Sequence, residues 1–84
     1  MTEHHIKLLE YFADAVLSGD KTFEVRENDR GYQKGDKVVF KVVDRSGIHF
    51  SHPVESVTYE ITYVLSGWGI KAGWVVFGIR EYKE

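Results

Sequence analysis

Three stretches of this 84-residue chain alternate apolar and other side chains with period two, while only one carries a helical period. The alternating stretches are Lys37–Asp44, Val57–Leu65 and Trp74–Tyr82. Their repeated sets are Val38, Phe40 and Val42; then Val57, Tyr59, Ile61, Tyr63 and Leu65; then Val75, Phe77 and Ile79. Successive strand side chains point to opposite faces, so each set predicts one buried side. Lys37–Asp44 is apolar on both faces and is expected inside the sheet. Leu8, Leu9, Phe12, Ala13, Val16 and Leu17 alone recur at helical spacing, predicting one amphipathic helix of about three turns. Ser18-Gly19 closes it, because glycine takes the left-handed conformation that ends a helix. His4–Leu8, Phe23–Arg26 and Ile48–Phe50 read as shorter strands. Asn28–Gly31, Gln33–Asp36 and Arg45–Gly47 read as turns, and Ser66–Gly73 as a loop. A chain of this length makes one domain, residues 1–84. A curled sheet or small barrel of antiparallel strands, with the helix packed over an open end, buries these elements economically. The predicted class is α+β, mainly β.

Five Phe, five Tyr and two Trp give a small core large buried areas per residue. Trp74, Tyr59, Tyr63 and Phe77 are expected in that core. With no cysteine there is neither a disulfide framework nor a thiolate metal site. The first residues lack the layout of a signal peptide, and no apolar run reaches membrane-spanning length. A cytoplasmic location and no membrane partner are expected. The net charge of −2 argues against coating nucleic acid through global basicity. Residues 20–45 nevertheless hold seven Lys/Arg against six acids, a net of +1 that leaves −3 for the rest. Any nucleic-acid binding must then rely on a shaped local pocket.

The candidate site is Gly19-Asp20-Lys21-Thr22-Phe23-Glu24-Val25-Arg26. Glu24 and Arg26, two apart on a strand, share a face, with Lys21 just ahead. Lys21 can meet a phosphate or polarise a carbonyl. Glu24 can accept from base amino groups or act as a general base. Arg26 can fork onto a phosphate or stack on a base. The same three residues can also form an ion network that only holds helix to sheet. Arg30 extends the positive patch. Asn28-Asp29 reads as an Asx-type turn that shapes the loop. Trp68, between two glycines, reads equally as an exposed stacking platform or as a core plug. His49 and His52 stand three apart without further ligands at a telling spacing, so no metal and no cofactor are expected.

The segment from Gly19 to Arg26 resembles the Gly-x-Lys-x-x-Glu-x-Arg signature of the activating-signal-cointegrator homology (ASCH) domain, and the Lys34-Gly35-Asp36 turn occupies a similar place. Asn28-Asp29-Arg30 and Leu65-Ser66-Gly67-Trp68-Gly69 resemble short, often phage-encoded members of unassigned role. The resemblance implies a PUA-like β-barrel that binds RNA or modified nucleotides in a cleft lined by the signature. It extends to Gly19, Lys21, Glu24 and Arg26. An amidohydrolase branch keeps the lysine but has a threonine nucleophile where this chain has Glu24, which cannot serve as that hydroxyl. Three readings follow. The first is an RNA- or nucleotide-binding module using Lys21, Glu24, Arg26, Arg30 and Trp68. The second is a metal-independent hydrolase of nucleic acid or modified nucleosides, with Lys21 and Glu24 as acid–base pair. The third is a protein-interaction module.

Overall fold

The computed structural model describes all 84 residues. In chain order they form β1 (Glu3–Leu9), α1 (Glu10–Ser18), β2 (Phe23–Glu27), β3 (Lys37–Val43), a 3₁₀ turn (Pro53–Ser56), β4 (Thr58–Leu65) and β5 (Trp74–Glu81). The five strands make one curled sheet in the order β1-β3-β4-β5-β2. The architecture is α+β, mainly β, with one helix on the sheet, as the periodicities predict. The pairing departs from an all-antiparallel sheet. β1 runs parallel to β3, with Glu3 opposite Lys37 through to Leu9 opposite Val43. The other three pairs are antiparallel. β1 and β2 are the two edges and share no ladder, so the sheet is a half-barrel with a seam.

β3 lies inside the sheet, as its apolar faces require, and Val38, Phe40 and Val42 are buried. Leu8 has helical spacing but belongs to β1, where it is buried opposite Val42. α1 is consequently nine residues long and turns Phe12, Ala13 and Val16 inward, leaving Leu17 exposed. Gly19, at φ 87°, closes the helix, its N–H donating to the Val16 carbonyl. Ile48–Phe50 is reduced to one bridge, His49 to Val43.

β4 alternates as predicted only to Ile61. A bulge between Ile61 and Tyr63 shifts its register on β5, so the outward positions become Tyr63 and Leu65, while Val64 packs on the core. Tyr63, expected in the core, is 65% exposed. One inserted residue inverts every later side chain, and no local pattern marks the insertion. The bulge also explains Gly78. A Cβ there would lie 2.5 Å from Thr62 Oγ1, closer than packed atoms approach.

The core draws side chains from every strand except β2, with Ile6, Leu8, Phe40, Ile61, Val75 and Phe77 among them, together with Ala13 and Val16 of α1. One end is fastened by a buried polar pair. His4 Nε2 donates to Asp36 Oδ2 at 2.8 Å, and Asp36 also accepts from the Thr2 and Gln33 backbone N–H groups. This carboxylate ties the start of β1 to the turn entering β3. Burial alone would raise the Asp36 carboxyl. The hydrogen bonds from His4, Thr2 and Gln33 outweigh burial and hold it below its ordinary 3.8.

A depressed carboxyl contributes stability in full above its unfolded-state value and loses it as pH falls through the folded one. Asp36→Asn is expected to cost about 2–4 kcal/mol at neutral pH and to flatten the stability loss below the ordinary 3.8, read by urea melts across pH. Gly78→Ala should cost about 1–3 kcal/mol, with most of the loss recovered in Gly78→Ala/Thr62→Ala.

Candidate functional site

β2 inverts the usual sense of amphipathicity. Its apolar residues Phe23 and Val25 face out and are exposed, while Glu24 and Arg26 face the interior. Pairing explains this: Glu24 stands opposite Phe77 and Arg26 opposite Val75, both core residues of β5. Glu24 is only 4% exposed. A buried carboxylate needs partners, and the signature supplies them. Lys21 Nζ donates to Glu24 Oε1 at 2.6 Å and to the Phe23 carbonyl at 2.8 Å. Arg26 Nε donates to Glu24 Oε2 at 3.2 Å. The Lys21 ammonium also lies over the Phe12 and Phe23 rings. No buried side-chain polar atom of the protein lacks a partner.

Lys21, Glu24 and Arg26 are therefore brought together, as the sequence predicts, in a network that satisfies itself. Both carboxylate oxygens are engaged by cations, so a ligand's access to this triad is through its cations. The Lys21 and Arg26 side chains keep 17% and 24% of their surface in water. The Arg26 guanidinium also reaches across the seam to donate to the Lys7 carbonyl of β1. Arg26 thus faces Glu24 on one side and the open seam on the other.

Beside that guanidinium lies a cleft of about 400 Å³ between the two sheet edges. Lys7, Lys41, Arg26, Arg30 and His5 supply its charged and titratable lining, with Ile6, Val39 and Phe40 completing it. No carboxylate is among them. Lys7 and Lys41 are direct neighbours in the β1–β3 register. Local reading of the sequence missed His5, Lys7 and Lys41. The outward phase of Lys7 and Lys41 is visible in the alternation, but their proximity depends on a parallel pairing between distant segments. Arg30 lines this cleft together with Arg26.

A second cleft, of about 260 Å³, shares Arg26 and Arg30 with the first and adds Glu27, Asp29, Tyr32 and Trp74. Tyr32 is buried against His4 and Phe77. Burial pushes its phenol above the ordinary value, although Arg26 works against the shift. The Tyr32 N–H donates to Asn28 Oδ1 at 3.1 Å, so Asn28 does shape this loop, but through a bond four residues on instead of the two of an Asx turn. Trp74, expected in the core, is half-buried and lines the cleft. Trp68 is the exposed alternative: 89% of it is in solvent, at φ 54°. It lines neither cleft that contains Arg26.

A larger hollow of about 560 Å³ sits on the helix side, lined by four apolar residues with Glu10, Asp14, Arg45 and His52. Its charges are mixed, and His52 is fully employed. The His52 Nε2 donates to Asp14 at 2.7 Å, while Nδ1 accepts from the Val54 N–H and caps the 3₁₀ turn. His49 instead contacts Glu55 at 2.8 Å, so the two histidines serve different carboxylates.

Substituting Glu24 by Gln leaves two cations facing a neutral amide. A loss of about 2 kcal/mol is expected, with Glu24→Leu costing more, measured by denaturant unfolding.

The family model described as a domain of unknown function (DUF3850) matches residues 3–79. No curated protein matches the chain.

Proposed function

Since the chain belongs to the DUF3850 family, whose function is unknown, its role must be argued from the site, and we propose that it binds RNA or a nucleotide-like ligand by its phosphates in the cleft between β1, β3 and β2. One observation carries this reading. In a protein of net charge −2, the cationic side chains of Lys7, Lys41, Arg26 and Arg30 line one cleft that has no carboxylate in its own lining, and of the four only Arg26 is paired with a carboxylate, Glu24. Like charges crowded together repel in the free protein, and an anion relieves that repulsion. A phosphodiester offers several oxygens to Lys7, Lys41, Arg26 and Arg30, and two guanidiniums suit phosphate through forked hydrogen bonds.

The roles within the signature then differ from residue to residue. Glu24 is a positioning residue, holding Arg26 at the seam and Lys21 beside the helix end. Arg26 meets the ligand, exchanging the Lys7 carbonyl for a phosphate oxygen. Lys7, Lys41 and Arg30 add exposed charge. The resemblance to the ASCH signature supports the same class of ligand. A hydrolase with Glu24 as general base would first have to free one carboxylate oxygen from its cation.

Lys7, Lys41 and Arg30 are exposed, so alanine there should leave the fold intact. With a short single-stranded RNA, the expected result is affinity that falls with salt, and a log–log salt slope reduced by about 1.4 in Lys7→Ala/Lys41→Ala, about 0.7 for each lysine removed. Unchanged affinity and slope in Lys7→Ala/Lys41→Ala/Arg30→Ala would remove the reading.

A further inference from the structure

We infer that the smaller cleft beside the cation-lined one is a base pocket, so that the ligand is a single-stranded oligonucleotide held by a base as well as by its phosphates. This rests on the phosphate-binding reading above and extends it. The two clefts share Arg26 and Arg30 as a common wall, so a ligand phosphate on those guanidiniums borders both.

The linings differ in kind. One offers cations. The other offers the half-buried Trp74 indole, the carboxylates of Glu27 and Asp29, and the two shared arginines, with the buried Tyr32 also in its lining. A flat aromatic wall takes the face of a nucleobase, whatever the base. Carboxylates would repel a phosphate, yet they accept hydrogen bonds from an exocyclic amino group, as in cytosine, adenine and guanine. Guanidiniums donate to the ring nitrogens of the same bases and to the carbonyls of cytosine and guanine. Acceptor-only and donor-only groups around an indole thus match a base edge bearing both donors and acceptors. Uracil, with no amino group, uses the carboxylates least.

The pocket is also anchored. Trp74 is fixed at the start of β5, opposite Glu27, and its N–H donates to the Lys71 carbonyl at 3.0 Å. The Lys71 ammonium lies 5.8 Å from the indole centroid and adds a cation at the rim. Asp29 and Arg30 sit in the loop that Tyr32 pins to the core, and the Asn28 N–H donates to the Gly73 carbonyl at 2.9 Å, tying that loop to the β4–β5 connection.

The test uses fluorescence anisotropy with three labelled RNA tetramers of equal charge: cytidine, uridine and abasic. The cytidine tetramer is expected to bind about tenfold more tightly than the abasic one. Trp74→Leu should remove that advantage while leaving abasic affinity unchanged. Asp29→Asn, at an exposed position, should narrow the preference for cytidine over uridine. If cytidine and abasic tetramers bind equally, or Trp74→Leu weakens both alike, the base pocket is overturned and the phosphate cleft stands. If neither the cytidine nor the abasic tetramer binds, the phosphate reading falls and the base pocket with it.

Discussion

A carboxylate that leaves water must be compensated on every side, and Glu24 imposes this requirement on the whole β2 region. It sits opposite Phe77, deep enough that its charge would be costly alone, and so it fixes where Lys21 and Arg26 must stand. Lys21 in turn reaches the Phe23 carbonyl and lies beside Phe12, which couples the end of α1 to the entry of β2. Arg26 carries the constraint to the far edge of the sheet through the Lys7 carbonyl. A half-barrel with no ladder between its edges is thereby spanned by a single side chain. That side chain closes the β2 side of the cation-lined cleft, whose other wall is the β1–β3 pair.

The same arrangement explains the outward apolar face. With Glu24 and Arg26 turned in, Phe23 and Val25 have only the outer face left. Val25 is paired with Val76, which is paired with Leu65, so an apolar row crosses three strands on the convex side. Phase inversion at one edge strand is thus paid in exposed hydrocarbon, and the network around Glu24 is what holds that phase.

Much of this was legible in the residues. Period two in β3, in β5 and in β4 up to Ile61 marked the core side chains correctly, since each alternation is a local property. The signature placed Lys21, Glu24 and Arg26 together because they are close in sequence and share a strand face. What could not be read depends on separation along the chain. Nothing local distinguishes a parallel from an antiparallel partner for β1, so the meeting of Lys7 with Lys41 was hidden. Nothing local announces the bulge at Thr62, so Tyr63 was assigned to the wrong face. Trp74 was assigned to the core on size alone, although it sits at a strand end beside a cleft. Leu8 satisfied a helical and a strand period at once, and the neighbouring β3 decided between them.

The strand order also sets an order of assembly. Made from its N-terminus, the chain produces β1 and α1 first, yet β1 has no strand partner until β3 emerges, and β2 has none until β5, the last strand, is complete. The segment bearing Glu24 therefore waits longest for its place. Until then Glu24, Lys21 and Arg26 remain hydrated, and the growing chain carries an open, charged edge instead of a finished seam. Loss of the C-terminal strand would strip β2 of its only ladder and leave the two walls of the seam unconnected. Closure of the fold is in this sense deferred to β5, the strand on which the placement of β2 depends.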